Sequence, residues 1–412
     1  MTQKTVFSAA EMLLPNFQKD SEAFRRWAVI ACDQFTSDVS YWDECERIIS
    51  GAPSSYDYIL PEAFLGSARE EKKAALVKEK MASVANAPLR ELSGFVYVER
   101  TLSGGGVRRG VVGKLDLEAY DYTPDSMASV RASEMTVAER VPPRAQIRAS
   151  AAVELPHVLV FIAPNSGVIE AAETAARDGQ VLYDFDLMQG GGHLRGTAIE
   201  GSTAQAVTDA IAEYESNASL PYAVGDGNHS LAAAKLHYEN IKKAIGSAAE
   251  SHPARYALCE IVSLGDDAIE FEPIYRVLTG LEGDASALFS ALSGITAEGV
   301  AGQSVKVITS CGERDLSFTS PTHALTVGTL QDFSDGYIAE NPGVACDYIH
   351  GIAEAEEIGR RPGCAAFLFD GIAKDELLPY VEAHGVLPRK TFSMGDARDK
   401  RYYLEARRIC AL

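Results

Sequence analysis

Apolar residues in this chain come either at helical spacing or in short unbroken runs bounded by glycine, and the two patterns alternate along its length. The run "WAVIACDQF" predicts a strand that ends at Cys32-Asp33-Gln34. "SYWDECERII" then places Trp42, Cys45 and Ile49 roughly on one face of a helix, and Ser67 to Val84 reads as a longer helix rich in Lys and Glu. "FVYVERTL-SGGG-VRRGVVGKLDL" is two β-rich runs joined by a Gly-rich loop, a β-hairpin, and "YDFDLMQ-GGG-HLRGTAI" repeats that pattern from Tyr183 to Ile199. Between the hairpins the pattern predicts a charged helix, a break at Pro142-Pro143, a second basic helix and a strand from Val158 to Ile162. Ser263 to Val277 supplies a further strand region. Residues from about 285 onward alternate α and β, through the strand "CAAFLFD" and the helix "AKDELLPYVEAHG". The expectation is a mixed α/β chain, with a core over residues 1–284 carrying the ligand site and a C-terminal α/β subdomain over 285–412.

One junction holds more polar chemistry than a turn requires. In "YAVGDGNHSLAAAK", Tyr222 to Val224 reads as the end of a buried strand and Ser230 to Lys235 as the start of a helix. Between them stand Gly225, Asp226, Gly227, Asn228 and His229. A helix start presents unpaired N–H groups and a partial positive charge, so it attracts anions. Gly225 and Gly227 would let the backbone approach a phosphate, while Asn228, His229 and Ser230 could donate to it. Asp226 would repel a bare phosphate and suits a metal ion or a substrate hydroxyl better. The plainer alternative is a helix cap with no other task.

The formal net charge of −20, from 58 Asp+Glu against 38 Lys+Arg, argues against nucleic acid or an anionic membrane as a general partner, since both need a basic footprint. A small anionic ligand needs only a local cluster of donors and stays open. The 46% hydrophobic and 23% charged content is that of a globular chain, and with no run of about 18 apolar residues no membrane span is expected. No secretion signal is read in "MTQKTVFSAAEMLLPNF". Seven cysteines without a C-x-x-C pair suggest reduced thiols, and with them a cytoplasmic location. The chain has no G-x-x-x-x-G-K-[ST] loop, no G-x-S-x-G elbow and no H-E-x-x-H pair.

Further candidates stand elsewhere. Asp33, with Gln34 beside it, ends a predicted strand where α/β proteins tend to place ligands. His193 and Arg195 alternate along one strand, share a face, and could meet a phosphoryl group; an ordinary exposed hairpin is the alternative. Arg140, Arg144 and Arg148 recur every four residues and form either an anion site or surface ion pairs. Glu134, read as opening a helix, is a candidate general base or a carboxylate favoured by that helix start.

The 222–235 stretch resembles the D-G-H-H-R strand–helix signature of domain-of-unknown-function family 1015. The resemblance extends through "WAVIACDQFTS", "APSSYDYILPEAFL", "RASEMTVAERVPPR", "GGGHLRGTAI", "EPIYRV", "CDYIHG" and "VLPRKTFSMG". The signature is also similar to that of ParB/sulfiredoxin-like nucleotide-binding domains, some of whose relatives phosphorylate free serine. The resemblance implies a ParB/sulfiredoxin-like core and a phosphate loop at residues 226–230, with ATP or ADP as donor and Mg²⁺ as cofactor. It also brings in Arg276 as a binding residue, with Lys390 and the Asp347/His350 pair behind it. Two positions depart from the signature: Asn228 stands for its first His and Ser230 for its Arg, and Lys235 lies beyond the first helical turn. The function expected is a kinase of a small hydroxyl compound such as free serine. The alternative is a nucleotide-binding regulatory protein without turnover.

Overall fold

In the strand Leu89–Thr101, Phe95 and Tyr97 pack into one hydrophobic cluster while Val96 and Val98 pack into another. Side chains alternate across a strand, so a run such as Phe95-Val96-Tyr97-Val98 is apolar throughout only when both faces of its sheet are covered. The computed structural model, which describes residues 4–84, 87–283 and 285–410, shows that arrangement. Its contacts divide the chain into two units, Met1–Ile269 with Asp396–Leu412, and Glu270–Gly395. The boundary falls at Ile269 rather than at 284, because Phe271–Thr279 pairs with later strands.

The first unit is built on an eleven-stranded sheet. Its main path runs Val181–Asp186, His193–Ile199, Leu89–Thr101, Val107–Asp116, Tyr256–Ser263, Leu159–Ile162, Tyr222–Asp226, Val130–Ala132 and Tyr120–Asp121. Both hairpins form as expected, with Thr101 opposite Val107 and Asp186 opposite His193. Past Tyr256–Ser263 the pairing turns mixed. Leu159–Ile162 is parallel to Tyr256–Ser263 and antiparallel to Tyr222–Asp226, which is parallel to Val130–Ala132. Helices Ser21–Trp27 and Val39–Ile49 contribute Phe24, Trp27, Trp42 and Cys45 to one core. Helices Val168–Ala176, Gly201–Asn217 and Asn228–Ile245 contribute Val168, Ile211 and Leu231 to the other.

Three local expectations are corrected. "WAVIACDQF" is not one strand: Trp27 ends a helix, and only Val29–Ile30 is extended, paired with Tyr402–Tyr403 outside the main sheet. No charged helix precedes Pro142-Pro143. Residues 133–137 run on from the Val130–Ala132 strand, a 3₁₀ turn covers Ala138–Arg140, and the α-helix is Val141–Ala149. The prolines lie in its first turn, where their missing N–H groups cost no helical bond, so they open the helix instead of breaking it. The third region, Ser263 to Val277, is two strands in different sheets, Tyr256–Ser263 and Phe271–Thr279.

The second unit, residues 270–395, holds a seven-stranded sheet whose central strands are Gln303–Thr309, Cys364–Leu368 and Phe271–Thr279. Val277, Val307, Ala366 and Phe367 form its core together with Leu330 of the helix Thr326–Glu340. The expected late strand and helix are Cys364–Leu368 and Leu377–His384. Among the described residues no helix is long and apolar enough to cross a membrane.

Candidate functional site

Strand Tyr222–Asp226 enters the junction buried and leaves it half-buried at Gly225 and Asp226. Gly227 turns the chain with φ +81°, a left-handed conformation that suits glycine, and a Cβ there would sit 3.0 Å from Val158. Gly225 has a packing reason as well: a Cβ would run into the ring of Phe161 on the neighbouring strand. Helix Asn228–Ile245 then begins with no side-chain cap bond. The Asp226 carboxylate accepts from the Gly227 N–H at 2.9 Å through Oδ1. Its Oδ2 and the Oδ1 of Asn228 are buried without a hydrogen-bond partner. Oxygens left bare in this way are costly unless something else reaches them.

Groups from distant parts of the first unit ring this turn. Lys400 Nζ lies 3.9 Å from Asp226 Oδ2, with both side chains largely shielded. Ser230 Oγ is 3.2 Å from His157 Nε2, and His157 Nδ1 is 3.2 Å from the Tyr403 hydroxyl, which also accepts from the Cys32 N–H at 3.1 Å. Asp33 takes a bond from Gln34 at 3.2 Å. Burial works against its charge, but the His157 imidazole, the Gln34 amide, its own backbone N–H and Lys400 together hold it below the ordinary carboxylate value. Asp33 thus reaches the site on a loop, not from the carboxyl edge of the main sheet.

His229 accepts from the Val137 N–H through Nε2 at 3.2 Å. Burial first, and then Arg144 and Arg140, lower its pKa against the pull of Asp33, so the ring is neutral and keeps its proton on Nδ1. Arg144 pairs with Glu62 and Arg148 with the buried Glu154, so two of the three arginines are already engaged by carboxylates. Glu134 does not open a helix. It follows the strand Val130–Ala132, whose Ala132 registers with Val224, so Glu134 and Asp226 each stand two residues beyond that pair. Both therefore lie at the carboxyl ends of adjacent parallel strands, where α/β sheets place ligands.

Other predicted residues are not brought here. His193 and Arg195 do share a face, but four strands separate theirs from Tyr222–Asp226. His193 is held by Asp186 at 2.7 Å and Asp184 at 2.8 Å, and Arg195 lies 3.8 Å from both Glu99 and Asp184. Burial opposes charge on His193, yet those two aspartates raise its pKa. Arg276 belongs to the second unit, fully buried, and spends its donors on Gln331 and on the carbonyls of Ile274, Arg389 and Lys390. Sequence reasoning passed over His157, Lys400 and Tyr403. His157 stands just before the strand that pairs with Tyr222–Asp226, a placement visible only once that pairing is known.

The family model described as "Protein of unknown function (DUF1015)" matches residues 15–335, and the chain belongs to that family. No curated protein matches it. Among solved structures it is similar to a free serine kinase in complex with AMP, at 10% identity and TM-score 0.38, over 71% of this chain and 90% of that one. A conserved hypothetical protein from Pyrococcus furiosus is similar at 10% identity and TM-score 0.36, over 71% and 93%. SbnI with a C-terminal truncation from Staphylococcus aureus is similar at 9% identity and TM-score 0.35, over 69% and 82%. These likenesses are too shallow to carry an argument about the site.

Proposed function

We propose that this DUF1015 protein binds a nucleotide at the start of helix Asn228–Ile245 and transfers its terminal phosphoryl group to a small hydroxyl compound, with free serine as the first acceptor to try. The observation that carries the reading is the uncapped helix start with Lys400 and His229 beside it, next to two buried oxygens, Asp226 Oδ2 and Asn228 Oδ1, that lack a hydrogen-bond donor. Phosphoryl transfer needs positioning and charge neutralisation more than covalent help from the protein. The N–H groups of the first turn, the Nδ1–H of neutral His229 and the Lys400 ammonium are donors suited to phosphate oxygens. Lys400 would supply the positive charge that Ser230, standing for the signature's arginine, does not.

Among the described residues no group of three or more His, Cys, Asp or Glu could hold a metal ion by itself. Mg²⁺ commonly takes one or two carboxylates and completes its shell with water and phosphate, so Asp226 and Asp33 fit it as such a minimal set. When bound, the ion would neutralise charge on the transferring phosphate. Glu134, beside Asp226 at the strand ends, would take the proton of the attacking hydroxyl, an effect of roughly 10²–10⁴-fold when the geometry is right.

The test is calorimetric titration with ATP and ADP in the presence of Mg²⁺, repeated on the double variant Asp226→Ala/His229→Ala. Binding by the wild-type chain that the double variant loses supports the reading. No binding of either nucleotide to the wild-type chain overturns it. Asn228 and Ser230, where the signature has His and Arg, favour a second reading, nucleotide binding without turnover. Glu134→Gln separates the two: in a kinase it spares nucleotide binding and abolishes consumption, whereas a pure binder shows no consumption to lose.

A further inference from the structure

Ser230 is the third residue of its helix, and its hydroxyl caps nothing. Instead it faces His157 Nε2 at 3.2 Å. Ser230 is half-buried, whereas His157 is 7% exposed, so the base is sheltered behind the hydroxyl. The other ring nitrogen of His157 faces the Tyr403 hydroxyl. The Tyr403 hydroxyl accepts from the Cys32 N–H at 3.1 Å, which leaves it a second lone pair. Through that lone pair Tyr403 can accept from the Nδ1–H of His157 at 3.2 Å. With the ring proton on Nδ1, Nε2 offers its lone pair to the Ser230 hydroxyl. That is the tautomer a general base needs.

We propose that Ser230 is a nucleophile with His157 as its base, and that the phosphoryl group passes through Ser230 between nucleotide and acceptor. The inference rests on reading the loop as a phosphoryl-transfer site. In the first step Ser230 Oγ attacks the terminal phosphorus of ATP. An Oγ–P bond forms, the bond to the bridging oxygen breaks with its electron pair leaving on ADP, and the Ser230 proton moves to His157 Nε2. In the second step the acceptor hydroxyl, losing its proton to Glu134, attacks the same phosphorus. The Oγ–P bond breaks, and Ser230 takes its proton back from His157. The N–H groups of the first helical turn lie beside Ser230, where charge on the phosphoryl oxygens needs donors.

A two-step path leaves marks that direct transfer does not. Wild-type protein given ATP and Mg²⁺ without acceptor should gain one phosphoryl group in intact mass, mapped to Ser230 by fragmentation, and should catalyse exchange of labelled ADP into ATP. Ser230→Ala should lose both while still binding ATP by titration. His157→Gln should slow labelling by roughly 10²–10⁴-fold, with added imidazole restoring part of the rate, which a merely structural histidine would not allow. If the protein phosphorylates free serine but shows neither phosphoserine nor exchange, transfer is direct; this inference falls and the proposed function stands. Full turnover by Ser230→Ala would likewise sink the covalent step and leave the proposed function intact. If the wild-type protein binds no nucleotide, both fall.

Discussion

Replacing Glu154 by Gln tests whether the chain's last segment is held in place by buried charge. Glu154 is 7% exposed and accepts from Arg407 Nε at 2.7 Å, from the Leu258 N–H at 2.9 Å and from Arg148. Burial alone would raise its pKa, but Arg148, Arg407 and the Leu258 N–H outweigh it and keep the carboxyl below its ordinary value. Glutamine keeps the shape and one acceptor, but it removes the negative charge and turns an amide donor toward an arginine. Arg407, itself only 4% exposed, loses the carboxylate that its Nε–H binds. Breaking a buried pair from one side costs about 3–5 kcal/mol. At roughly 2 °C per kcal/mol for a unit of this size, the melting temperature at neutral pH should fall by about 6–10 °C.

The pH dependence fixes the sign. A carboxylate whose folded pKa is depressed contributes stability that is fully present above its unfolded value, about 4.3, and that fades as pH falls through the folded value. Glutamine has no such titration, so the gap between the two melting curves should narrow below about pH 4. The effect should also reach the site. Arg407–Arg408 pairs with Val153–Glu154, and the same segment brings Tyr402–Tyr403 against Val29–Ile30 and Lys400 against Asp226. Loosening it should weaken nucleotide binding in the same variant. Melting temperatures within about 1 °C of each other, or a gap that does not change with pH, would refute the reasoning.

Gly225→Ala should cost about 1–3 kcal/mol in a denaturant titration, because its Cβ must push Phe161 aside. Lys400→Met keeps the aliphatic stem but removes the charge beside Asp226 and Asp33, so calorimetry should show nucleotide affinity falling by roughly tenfold with the fold intact by circular dichroism. The pair His193→Ala/Arg195→Ala should leave nucleotide affinity unchanged within about twofold and stability within about 1 kcal/mol, since these half-exposed side chains interact with Asp184, Asp186 and Glu99 on the two neighbouring strands, and four strands separate theirs from Tyr222–Asp226.

The hairpins were legible because a Gly-rich loop between two β-rich runs leaves few alternatives, and burial on both faces explains why Phe95 to Val98 in the first of them do not alternate in polarity. Pro142-Pro143 misled the reading, because a proline breaks a helix only from inside it, and nothing in the local pattern says which turn it occupies. "WAVIA" is buried throughout, and a run with no exposed side has no period to tell helix from strand. His193 and Arg195 show the same limit one level up. Alternation put them on one face correctly, but strand order decides what that face looks onto, and strand order is not written in a hairpin.

The turn at 225–230 was legible because a strand end, two glycines and a helix start are consecutive in sequence. Its surroundings were not, because they arrive from Cys32-Asp33, Glu134, His157 and Lys400-Tyr403, joined only through strand pairings and the return of residues 396–410 to the first unit. That difference bears on how the departures from the signature should be weighed. Asn228 and Ser230 read in sequence as two donors lost from a phosphate loop. In space, Ser230 makes room for a hydrogen bond to His157 that an arginine would not offer, and a lysine from the far end of the chain stands beside Asp226. A motif counts residues along one turn, whereas a phosphate counts donors within reach. On the proposed reading, that second measure gives the turn a positive charge from Lys400 and a hydroxyl hydrogen-bonded to an imidazole.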